Sequence, residues 1–111
     1  MSLLLINLEH ADALSDVLLA LTQVGVQSPV LLEGEAGANK MSQAVPIFAG
    51  LVEGFGRQEE YVQLILAPIA GPEVAAQFVR ALADGGIDWH GEKLGWMVVV
   101  PTEPVPGADG A

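Results

Sequence analysis

The residues best suited to chemistry in this chain are its histidines and lysines. His10 lies close to Asp12, and His90 sits between Asp88 and Glu92. Imidazole and carboxylate ligands in such company suit a divalent metal ion. Their spacing matches no familiar ligand motif, so His10 and His90 are equally read as ordinary loop histidines. Lys40 and Lys93 each stand in a glycine-containing stretch, Gly34–Gln43 and Gly91-Glu92-Lys93-Leu94-Gly95. Glycine lets backbone amides approach a phosphate closely, and a neighbouring lysine adds charge. Gly37, Lys40, Gly91, Lys93 and Gly95 are therefore candidate contacts for a small anionic ligand. The second stretch lacks the Gly-x-x-x-x-Gly-Lys-Ser/Thr spacing of a P-loop, and a plain turn competes with the ligand reading. Trp89 and Trp96 offer faces on which a planar ligand stacks, or else they pack beside a strand.

Catalytic constellations are missing. Ser2, Ser15, Ser28 and Ser42 stand in no Gly-x-Ser-x-Gly elbow, and the chain has no cysteine to serve as nucleophile or thiolate ligand. The acidic residues fall mainly at helix starts and in loops, where solvation and helix dipoles account for them. The chain is expected not to be an enzyme.

The formal net charge is −10, from 4 Lys and Arg against 14 Asp and Glu. The few cations, Lys40, Arg57, Arg80 and Lys93, are scattered, so neither nucleic acid nor an anionic membrane surface is expected as partner. Yet 51% of the residues are hydrophobic, much for a domain of 111 residues. No run is long enough to span a bilayer: Leu3–Leu8, Val17–Leu21 and Trp96–Val100 are each of strand length or less than two helical turns. Met1–Leu8 has neither the basic start nor the cleavage site of a secretory signal, and a cytoplasmic location is expected. The surplus of apolar residues points instead to surface buried between subunits.

Six main elements and one short helix position these residues. Leu3–Leu8 reads as a strand buried on both faces. From Asp12 to Val24, Leu14, Val17, Leu18, Leu21 and Val24 form one helical face that Gly25 closes. Val26–Glu33 reads as a second strand, placed at an edge or bulged by Pro29. Gly34–Gln43 is a polar loop, and about two turns of helix follow over Pro46–Val52. Glu60–Leu66 is a third strand. Gly71-Pro72-Glu73 opens a second helix whose face is Val74, Ala75, Phe78, Val79 and Leu82, closed by Gly85-Gly86. Trp96–Val100 is the last strand. The order βαββαβ gives an α+β, ferredoxin-like domain with antiparallel sheet order 4-1-3-2 and both helices on one face. Three loops then meet at one end, His10–Asp12, Gly34–Gln43 and Ile87–Gly95. The uncovered sheet face is expected to self-associate.

The opening strand, Thr22-Gln23-Val24-Gly25-Val26, the glycine loop, Ile47-Phe48-Ala49-Gly50-Leu51 and the closing Gly95–Glu103 together resemble P-II-like proteins, relatives of the nitrogen-regulatory P-II signal transducers. The resemblance spans residues 1–103, leaving 104–111 as a tail of disorder-prone composition. It implies a homotrimer with inward-packed sheets and a signalling loop, here residues 34–43, that meets a protein partner. It also implies a small ligand, ATP or ADP in the family, bound in clefts between subunits. The family's phosphate-binding lysine before the last strand is replaced by Trp96, and the arginines after that strand are missing from Glu103-Pro104-Val105-Pro106-Gly107. The cofactor is thus left open, with a nucleotide as one option. Two further readings remain: a divalent-metal trimer resembling the cation-tolerance proteins of this fold, and a ligand-free module that docks on another protein through the loop.

Overall fold

The computed structural model describes residues 1–35, 37 and 61–108. Strand β1 (Ser2–Leu8) is the centre of the molecule, and strict alternation governs it. Ser2, Leu4, Ile6 and Leu8 are buried, while Leu3, Leu5 and Asn7 are half-exposed. The expectation of a strand buried on both faces is corrected here: Leu3 and Leu5 are only half-buried, and the described helices pack on the other face.

Strand β2 covers Val30–Glu35, β3 Tyr61–Ile69 and β4 Gly95–Pro101. They join β1 in one antiparallel sheet of order β2-β3-β1-β4; counted from its other edge, the same sheet is β4-β1-β3-β2. Helix α1 (Leu14–Gln23) follows a 3-10 turn at Ala11–Ala13, and helix α2 (Pro72–Asp84) links β3 to β4. The described residues therefore form a small α+β fold with two α-helices and a four-stranded antiparallel sheet.

Both helices press their buried residues on the same sheet face. Val17, Ala20 and Leu21 of α1 and Phe78 and Leu82 of α2 share one core with Leu4, Ile6 and Leu8 of β1 and Ile65, Ala67 and Ile69 of β3. Fully burying a side chain of this size contributes about 1.5–3 kcal/mol, so this layer carries most of the protomer's stability. Val79, expected in the helical face, is exposed instead. It follows Phe78 by one residue, a turn of about 100° around the helix, and so falls on the flank.

The two helices end alike. At α1, Gly25 adopts φ +90°, its N–H donates to Thr22 O, and the Val26 N–H donates to Leu21 O at 3.0 Å. At α2, Gly86 adopts φ +89°, with Gly86 N–H to Ala83 O and Ile87 N–H to Leu82 O at 2.9 Å. These are twin Schellman motifs. They explain why β2 starts later than expected: Val26 is buried as the last piece of the α1 cap, and Pro29 has no N–H to offer a ladder. β2 is an edge strand that begins at Val30, just past that proline.

β3 runs beyond its expected end at Leu66, as far as Ile69 and through Pro68. The β2 partner strand ends opposite Leu66, so from Ala67 onward β3 is paired with β1 alone. Residues 38–60, which include the expected helix Pro46–Val52 and Lys40, lie outside the described residues, as do 109–111.

Candidate functional site

The strand directions bring the ends of β1 and β2 and the starts of β3 and β4 to one end of the sheet. Leu8 stands opposite both Gln63 and Gly95, and Glu35 opposite Tyr61. The expected gathering of the residue 10–12 and 87–95 loops at this end follows directly, and the Glu9 N–H donates to Leu94 O at 2.8 Å.

The glycines of the second candidate stretch have structural duties there. The Gly91 N–H donates to Asp88 Oδ1 at 3.1 Å, and the Asp88 N–H donates to Glu92 Oε2 at 2.7 Å. A single helical turn results, with the Glu92 N–H bonded to Asp88 O and Lys93 turned to φ 53° to close it. A Cβ on Gly91 would run into the Asp88 carboxylate. The amide proposed for a phosphate is thus occupied by a carboxylate, and the charge beside it is negative. Gly95 takes φ +145°, and a Cβ there would collide with Asn7 O. Its lack of a side chain lets β4 dock against β1 at the point where the two strands meet. Gly37 is exposed, and Lys40 lies outside the described residues.

The two histidines have different surroundings. His10 is half-buried and its carbonyl accepts the Ala13 N–H at 3.0 Å, which starts the 3-10 turn. His90 is exposed on the 88–93 turn, beside a groove of about 360 Å³ that Val79, Ile87 and Trp89 also line. Among the described residues no group of three or more His, Asp or Glu side chains gathers as a metal site would require.

The two tryptophans divide the same way. Trp89 is half-buried and packs against the helix-covered core. Trp96 stands 48% exposed on the opposite face of the sheet.

That opposite face is the unusual surface. Directly paired residues of an antiparallel sheet point to the same side. One row across it reads Val30, Leu66, Leu5, Val98, and the next reads Leu32, Leu64, Asn7, Trp96. Pro68, Leu3 and Val100 form a third row. Val30, Leu32, Val98 and Val100 are exposed, at 39–51% of full accessibility. None of these residues is charged, and Asn7 alone carries a polar side chain. No protein-family model matches this chain, and no curated protein does either. This surface and the end of the sheet where the loops meet are therefore the candidate places for function.

A hollow of about 530 Å³ opens where the two coincide. Leu5, Val62 and Leu64 form its floor, and Asn7, Glu9 and Trp96 stand along one side. Gly34, Glu35 and Gly37 border it from β2 and the residues just after. Gly34 pairs with Val62 and points to the same face, so the missing side chain leaves the hollow open. Sequence reasoning overlooked Asn7. The available signal was a lone amide in a run of leucines, in a strand where every other outward position is apolar.

Proposed function

We propose that this chain is a P-II-like regulatory protein of ferredoxin-like build, which self-associates as a homotrimer through the sheet face that no described helix covers. It takes a small ligand where subunits meet and signals through the loop of residues 34–43. The observation that carries the reading is the uncharged, apolar sheet face opposite the helices. A chain with net charge −10 repels its own copies everywhere else, so the charge-free face is where copies can meet at least electrostatic cost. Four strands about 4.8 Å apart and roughly 20 Å long give a face of about 400 Å² in plan. A standard interface takes about 800 Å² from each partner. The face alone supplies about half of that, so the sheet edges must join it, as they do when subunits close into a ring rather than stack as a flat pair.

Ligand binding at such a boundary orders the loops that border it, and a loop with two arrangements converts binding into a change that a partner can read. Light scattering at micromolar protein tests the oligomer. The full chain should elute with the mass of three protomers, and Val98→Asp, which sets a charge in the middle of the face, should elute as single protomers with unchanged helical ellipticity. A single-protomer mass for the unsubstituted chain overturns the reading.

A further inference from the structure

The hollow at the end of the open face has a ligand chemistry of its own. We propose that it binds an organic cation with an apolar body, an alkylammonium or arylalkylammonium compound. The proposal rests on the reading above only for its setting, at the rim of the face where subunits meet. Its own basis is local. The floor is aliphatic, built from Leu5, Val62 and Leu64, and suits a hydrocarbon body. Trp96, nearly half exposed, offers an indole face on which an ammonium group is attracted by the ring quadrupole. Glu9 supplies the counter-charge, and Asn7 supplies a carbonyl oxygen that accepts an ammonium N–H.

Charge decides against the anionic alternative. No lysine or arginine is among the described residues lining the hollow, and the amide of Gly91 in the nearby turn already serves a carboxylate. An anion placed on this floor would face Glu9 with no lysine or arginine among the described lining residues to offset it, and desolvating it there would be costly. A cation meets the opposite situation. Glycine at position 34 adds to the space: a Cβ there would already stand against Val62 Cγ2, 3.4 Å away, and a larger side chain would narrow the hollow.

Three probes with the same apolar body and different charge test the proposal: 2-phenylethylammonium, 2-phenylethanol and 3-phenylpropionate. Calorimetry on the full chain should show saturable binding of the ammonium probe. The neutral probe should bind about tenfold more weakly or worse, a difference near 1.4 kcal/mol. Glu9→Gln should weaken the ammonium probe by a similar factor and leave the neutral one unchanged. Gly34→Val, which narrows the hollow beside Val62 in a strand that favours valine, should weaken binding of both. Trp96 emission in a Trp89→Phe background reports the same events optically. Equal or tighter binding of 3-phenylpropionate, or no saturable binding of the ammonium probe, overturns the proposal. Light scattering on the same samples separates the two readings. A trimer that ignores the ammonium probe removes the cation site alone, whereas single protomers that bind it remove the trimer and keep the site.

Discussion

The two faces of the one sheet are built from nearly the same residues and have opposite fates. On one side Leu4, Ile6, Leu8, Ile65 and Ala67 are at most 1% exposed beneath two helices. On the other, Leu32, Trp96 and Val98 remain 45–49% exposed. Residue type alone does not separate them, since branched aliphatic side chains dominate both faces. What separates them is the path of the chain: both described crossover helices, α1 and α2, lie on the same side, and among the described residues no helix covers the second face. The covered face is therefore the source of protomer stability. The open face has to be judged by what the protein does in company.

The largest expected effect tests the covered face. Phe78→Ala removes a fully buried ring at the junction of α2 with the sheet. A change of this kind costs about 3–5 kcal/mol, and urea unfolding should lose that much or show no folded baseline. Because the ring belongs to the protomer's own core, the loss should not depend on protein concentration. Val98→Ala on the open face should behave the other way. It should barely move the midpoint at high dilution, and its cost should grow as concentration rises and copies assemble. A concentration-independent cost at Val98 comparable to that at Phe78 would break the comparison.

A smaller effect, near the middle of the range, should appear at Gly95, where the two faces share a backbone. The residue holds φ +145°, with Asn7 O lying where a Cβ would be placed. Gly95→Ala should cost about 1–3 kcal/mol through strained backbone and a shifted β4. Since β4 carries Trp96 and Val98 on the open face, the same substitution should also weaken assembly. Urea midpoints at two protein concentrations would report both consequences. A shift in only one would show that β4 docks independently of the open surface.

Much of this arrangement was legible beforehand, and the failures are physical. The helices were readable because Leu14, Val17, Leu18 and Leu21 repeat at helical spacing and glycines stand where left-handed caps are needed. The start of β2 was not, because Val26 is a good strand residue whose N–H and side chain are claimed by the preceding helix. Leu3–Leu8 was misjudged because a leucine run looks the same whether one face or both are covered. At the candidate site, Gly91 and Gly95 were ambiguous for a similar reason. A glycine that admits a phosphate and one that admits a neighbouring carboxylate or strand are indistinguishable in sequence. The row Leu32, Leu64, Asn7, Trp96 could not be read at all without the strand register, since its members are scattered along the chain.

The smallest effects expected are at the twin caps, and they sharpen the comparison most finely. Gly25 and Gly86 have nothing within 4 Å of a would-be Cβ, so alanine meets no clash at either position. The penalty is conformational alone: φ near +90° costs a residue with a side chain about 1–2 kcal/mol relative to glycine. Both caps turn a buried or half-buried residue, Val26 or Ile87, back toward the helix-covered core, and neither touches the open face. Gly25→Ala and Gly86→Ala should therefore lower the urea midpoint by nearly equal amounts. Their double variant should add within experimental error, because the two caps share no bonded partner. Assembly measured at a denaturant-free, fully folded condition should be unchanged in all three. A cap substitution that dissociates the oligomer while the protomers stay folded would mean that the helical side also meets the neighbouring copy, and the division of labour between the two faces would have to be redrawn.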